Sequence, residues 1–108
     1  MTAELAEQSA DTPGSPSTGP ETGTNEPDAA KRIAGLRERI DQIDRELIAL
    51  WKERAAISQE VGRTRMASGG TRLVLSRERE ILERFRRELG ADGIQLALLL
   101  LRAGRGPL

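Results

Sequence analysis

Between residues 36 and 65 the chain reads LRERIDQIDRELIALWKERAAISQEVGRTR, without Pro and with Gly62 its one Gly. Leu36, Ile40, Ile43, Leu47, Leu50, Arg54, Ile57, Val61 and Thr64 follow one another at alternating steps of four and three. That is a heptad seam, and it predicts one long helix. Asp28 is a reasonable cap before it. Ser68, Gly69 and Gly70 supply the stop, so the helix is expected over residues 28–67. Such a helix spans roughly 60 Å, more than a domain of this size is wide. It is therefore expected to pack on another subunit.

Beyond the stop, a connector over residues 69–75 leads to a second helix with Ser76 as its cap. Glu78 and Glu80 stand in its first turns, where the helix dipole favours acids. Ile81, Leu82, Phe85 and Leu89 make its expected buried stripe, and Gly90 ends it. Asp92 and Gln95 have the spacing of a capping box. The apolar run over residues 96–101 then predicts a short buried third helix that stops at Gly104, followed by a flexible end. The expected fold is all-α: three helices, one very long and two short, in an intertwined antiparallel homodimer.

Residues 1–28 break this patterning. They are rich in Pro, Gly, Ser, Thr and Glu, with almost no large apolar side chain after Leu5. Such a segment buries too little to offset the entropy of ordering, so a disordered acidic tail is expected there, with the folded domain over 29–108. The tail is either a solvated extension or an internal anion mimic. The chain is neutral overall, but the first 28 residues hold six acids and no base. The remainder holds all 17 basic residues against 11 acids, a net of +6. A basic domain suits anionic ligands.

Composition then narrows the chemistry. With no Cys and no His, thiolate chemistry, an imidazole base and the commonest zinc ligand are all excluded. An enzyme of this composition works by positioning, electrostatics or carboxylates. No targeting or membrane-spanning segment is visible, which points to the cytoplasm. At 108 residues with one Trp, one Phe and no Tyr, a self-sufficient core is marginal, which again favours an oligomer.

Arg54 interrupts the apolar seam, and a guanidinium there is costly unless an anion meets it. Arg65 lies eleven residues on, about three turns and roughly 16 Å along the same face. Arg37 lies too far from Arg54 for one small ligand to touch both from one chain. If two copies pair antiparallel about an axis near Arg45 and Glu46, Arg37 of one chain lies level with Arg54 of the other. Two equivalent basic clefts then form. Arginine forks match carboxylates in a bidentate way, so the cleft suits a small dianion, with Glu78 able to accept from a ligand hydroxyl. Read singly, Arg37 and Arg65 are ordinary exposed helix charges, and Glu78 is a helix N-terminal acid. Arg54 stays open between a ligand contact and a register device.

At these residues the sequence resembles the all-helical chorismate mutases. The stretch over 36–65 is similar to that family's first helix, and SRERE to the start of its second. The resemblance covers residues 29–108. The connector and the LLLLRAGRG end look most like the compact subclass, whose members are weak alone and activated in complex with DAHP synthase. The resemblance implies a homodimer that converts chorismate to prephenate with no cofactor and no metal. It also implies the roles. Arg37 matches the arginine that crosses from the partner subunit to one substrate carboxylate. Arg54 matches the in-subunit arginine for the other. Arg65 stands beside the ether oxygen, and Glu78 binds the ring hydroxyl. Val74 falls where better-equipped members carry Asp, so its contact is through the backbone. The third-helix polar residue that faces the ether oxygen, usually Gln, has no match. These departures imply weak stand-alone activity.

Two other classes fit parts of the pattern. A helical adaptor explains the heptads but leaves Arg54 without a role. A nucleic-acid binder fits the charge, but acids are interleaved with the bases and stacking aromatics are nearly absent. No nucleic-acid or membrane partner is expected.

Overall fold

A computed structural model describes residues 21–106. The described residues form three α-helices: α1 over Pro27–Ala67, α2 over Leu75–Leu89 and α3 over Ala91–Arg105. The chain divides into two units, Met1–Arg45 and Glu46–Leu108.

In the first unit α1 starts one residue before the expected cap. Pro27 takes the first helical position, where its missing N–H costs nothing. Glu26 serves as the cap: its Oε1 accepts from the Ala29 N–H at 2.6 Å, and its carbonyl from the Ala30 N–H at 2.9 Å. Asp28 instead sits in the first turn and favours the helix dipole. Residues 21–26 have no regular structure. The rest of the expected tail, residues 1–20, lies outside the described residues.

In the second unit α1 ends as its Ser-Gly-Gly stop predicts. Gly69 has φ +80°, its N–H donates to the Met66 carbonyl, and the Gly70 N–H donates to the Arg65 carbonyl at 2.7 Å. That pair of bonds is a Schellman motif. The start of α2 differs from expectation. Val74, in extended backbone, precedes the helix, and no side chain caps it. Its carbonyl accepts from the Arg77 and Glu78 N–H groups. Ser76 is thus inside the first turn. The connector is already fixed by its own hydrogen bonds, from the Arg65 guanidinium and the Thr71 hydroxyl, so the chain turns helical earlier than the hydroxyl cap would set.

A single residue joins α2 to α3. Gly90, at φ +70°, ends the first and begins the second, donating to the Arg86 carbonyl and accepting from Gly93 and Ile94. This tight turn puts Asp92 inside α3, so the expected capping box does not form. Helix α3 also runs past its expected stop: Gly104 is helical and buried, and Gly106, at φ +73°, caps the end. Ile81, Ala97 and Leu101 form the core, with Leu82 and Phe85 packed against it. Contrary to expectation, Leu89 on α2 and Leu96, Leu98 and Leu99 on α3 are exposed. On the outer face of α2, Arg77 pairs with Glu80 and Arg86 with Glu83. Hydrogen bonds and charge from these arginines hold both carboxyls below the usual range. Exposed pairs of this kind add little stability.

Helix α1 buries none of its residues within this chain. Its seam stays open in both units, with Leu36 and Ile40 in the first and Leu47, Leu50 and Ile57 in the second all exposed. No described helix is long and apolar enough to cross a membrane.

The α2–α3 turn leaves no room at Gly93, where an added Cβ would lie 2.1 Å from the Phe85 carbonyl oxygen. The obstacle is backbone, so no side chain can move aside. Gly93→Ala is expected to destabilise the protein by about 1–3 kcal/mol or more. A thermal melt followed by circular dichroism checks this, and an unchanged midpoint would show that the two helices do not approach so closely.

Candidate functional site

In the second unit, the end of α1, the connector, the first turn of α2 and the last turn of α3 border a cleft of about 490 Å³. Arg63, Arg65, Arg72 and Arg105 line it, together with one carboxylate, Glu78, and apolar groups that include Leu101. Arg63 is paired with Glu60 at 2.7 Å. The remaining cations outnumber the acid, so the cleft favours an anion.

The Arg65 side chain is fixed by the connector beyond the stop. Its Nε donates to the Thr71 carbonyl at 3.2 Å and its Nη2 to the Arg72 carbonyl at 3.1 Å. A guanidinium has five N–H donors, so these bonds leave Nη1 and half of Nη2 for a ligand. The same bonds hold the connector against the end of α1. Glu78 lies one helical turn into α2, and its side chain is only 18% exposed. Its Oε1 accepts from Arg105 Nη2 at 2.9 Å, leaving Oε2 as an acceptor.

The structure therefore brings together Arg65 and Glu78 of the residues expected at the site. Arg54 is not among the described residues that line the cleft. It is partly buried, and its Nη1 donates to the Leu100 carbonyl on α3 at 3.3 Å. Its charge is thus met by a backbone dipole within its own chain. Val74 caps α2 through its carbonyl, and its side chain is exposed. Arg37 belongs to the first unit, where its Nη1 donates to the Glu21 carbonyl.

Sequence reasoning missed Arg105, which fell in a segment read as a flexible end. The last turn of α3 is held against α1 instead. Gln59 Nε2 donates to the Ala103 carbonyl at 3.0 Å, which also accepts from the Gly106 N–H at the helix end. Gly104 packs so closely that an added Cβ would lie 2.5 Å from the Ser58 hydroxyl oxygen. A signal was available: the buried positions Gly93, Ala97, Leu101 and Gly104 keep helical spacing through the expected stop. Among the described residues, no group of His, Cys, Asp and Glu side chains could hold a metal ion.

Comparison with known proteins shows the family. The family model described as chorismate mutase type II matches residues 36–99, more than half of the chain. The intracellular chorismate mutase of Mycobacterium tuberculosis H37Rv is 59% identical over 76 residues, covering 70% of this chain and 71% of that protein. The intracellular chorismate mutase of Mycolicibacterium smegmatis is 51% identical over 81 residues, covering 75% and 78%. Among solved structures, a non-covalent complex of DAHP synthase and chorismate mutase from Corynebacterium glutamicum, with a bound transition state analog, contains a similar chain. It is 51% identical with a TM-score of 0.68, and the match covers 72% of this chain and 94% of that one.

Proposed function

The chain belongs to the chorismate mutase type II family, and we propose that its cleft rearranges chorismate to prephenate. The observation that carries the reading is the meeting of Arg65 and Glu78 in one cation-rich cleft. The substrate is a dicarboxylate with a ring hydroxyl. The reaction is a one-substrate pericyclic shift that needs no nucleophile, metal or proton transfer, so a chain without His or Cys can perform it. Two tasks remain for the protein. The enolpyruvyl side chain must be held folded over the ring, which carboxylate clamps achieve. Negative charge that grows on the ether oxygen as the C–O bond breaks must meet a fixed cation.

Residues 29–108 form the mutase domain in this reading. Arg65 supplies the fixed cation through its remaining N–H groups. Glu78 accepts from the ring hydroxyl through Oε2. Arg54 holds one carboxylate through the N–H groups that its bond to the Leu100 carbonyl leaves over. The Val74 carbonyl is used in capping α2, so its N–H is the backbone donor it can offer. Arg37 of a second copy holds the other carboxylate. The uncovered seam of α1 supports that second copy, because antiparallel pairing covers apolar side chains such as Leu47 and Leu50, 60% and 61% exposed in the single chain. The similar Corynebacterium glutamicum chain occurs with DAHP synthase, which supports a like partner here and, with Val74 in place of an acid, low activity without it. Relatives named intracellular support a cytoplasmic enzyme.

Loss of chorismate absorbance, followed with and without DAHP synthase, tests the activity directly. Saturable turnover that rises with the partner is expected. No turnover in either condition would overturn the reading.

Arg54→Ala is expected to lose roughly 10²–10³-fold in turnover while keeping its helical signal and dimer mass. Arg37→Ala should fail similarly, and co-refolding the two at equal amounts should restore activity. Random assortment makes half of the dimers mixed, and half of their clefts carry both arginines. About a quarter of wild-type activity per site should therefore return if assembly is a closed two-fold dimer. Mixed dimers that stay as inactive as either parent would show that the cleft is not shared.

A further inference from the structure

Arg105 lies in the cleft, yet the reaction as proposed gives it no task. Its pair with Glu78 is the least exposed of the chain's described ion pairs, at 33% and 18% side-chain exposure. The backbone beside it is also held in place. Gln59 holds the carbonyl two residues before it, Gly104 meets Ser58, and the Gly106 N–H closes the helix onto the Ala103 carbonyl. A guanidinium anchored in this way can orient a carboxylate that would otherwise sample several rotamers.

We propose that Arg105 is a positioning residue for Glu78: it holds Oε1 so that Oε2 stays placed for the hydroxyl of the bound dicarboxylate. The proposal rests on the mutase reading above. Two physical effects make it useful. A glutamate side chain loses considerable rotamer freedom when it is fixed, and a pre-formed ion pair meets that cost before the ligand arrives. A bare carboxylate would also repel a dianionic ligand, whereas the Arg105–Glu78 pair carries no net charge. The neighbouring cations Arg65 and Arg72 would compete for an unanchored Glu78, drawing it away from the hydroxyl and neutralising charge that the substrate needs. Arg105 thus keeps the acid and the cations in separate roles.

The test compares Arg105→Ala, Arg105→Lys, Glu78→Gln and the double variant Arg105→Ala/Glu78→Gln, each as the full chain in the chorismate assay. The hydroxyl contact exists in substrate and transition state alike, so Arg105→Ala should lose roughly tenfold or more in kcat/KM, most of it as a raised KM. Arg105→Lys restores the charge without the fork and should recover part of the loss. Once Glu78 is neutral there is nothing to position, so the double variant should be no worse than Glu78→Gln alone. Helical signal and dimer mass are checked for each variant, and Arg105→Lys alone decides the matter if Arg105→Ala does not fold. Unchanged or faster turnover in Arg105→Ala would overturn the proposal, because the pair would then be idle or in competition with substrate. Losses that multiply in the double variant would overturn it too. Absence of turnover in the wild-type chain would instead overturn the mutase reading and this proposal with it, so the two failures are told apart.

Discussion

A helix of 41 residues that buries none of them within its own chain is the constraint on which the rest depends. Helices in proteins owe most of their stability to the packing of an apolar face. Here that face is present in the sequence but uncovered in the single chain, while the described core is confined to a few residues of α2 and α3. Burying several Leu and Ile side chains is worth roughly 1.5–3 kcal/mol each. That is comparable with the whole stability of a small domain. Whatever covers the seam therefore decides whether α1 stands, and with it the positions of every arginine that α1 carries. In the proposed mutase, antiparallel pairing with a second copy would cover this seam and bring Arg37 to the cleft.

The second dependence is local and runs through Arg65. Two of its N–H groups bind connector carbonyls, so this one side chain helps to fix the route from α1 to α2. The same bonds hold the guanidinium itself. A cation fixed before the ligand arrives needs little reorganisation during the reaction, which is where electrostatic stabilisation gains its force. Structure and chemistry thus share a residue: the connector is ordered by the group that the proposed reaction uses. Glu78 follows from it, because the path of the connector sets the first turn of α2.

Much of this was legible in the sequence. The steps of four and three announced α1, and Ser68-Gly69-Gly70 announced its end, because a left-handed Gly is the usual solution for closing a helix. Gly90 was equally plain. The caps at Ser76 and Asp92 were misread for one reason. Capping rules weigh a side chain against its neighbours in sequence, but side-chain hydrogen bonds onto the connector and a one-residue turn had already set both helix starts. The last turn of α3 was misread because Gly104 has two meanings. As punctuation it ends a helix; as the smallest side chain it admits close packing, and only the contact with Ser58 shows which applies. Arg65 and Glu78 were marked as candidates by residue type and spacing. Arg105 was not, since its importance lies in a contact 27 residues away. Arg54 was marked as an anomaly in the seam, but the Leu100 carbonyl that meets it within the chain has no signature in sequence.

A rearrangement without covalent catalysis places unusual weight on such contacts. No nucleophile or metal supplies a fixed share of the rate, so the rate follows from how well the cleft holds a folded substrate and how steadily a cation faces the breaking bond. In this chain the cleft is bordered by three helix ends and a connector, the parts of a fold that open most readily. The side-chain bonds that tie these borders together include two from Arg65, one from Gln59 and one from Arg105. A partner that stiffens helix ends can raise turnover in such an enzyme without contributing any group to the chemistry. The physical reason is that orientation, and not reactivity, is the quantity this cleft has left to gain.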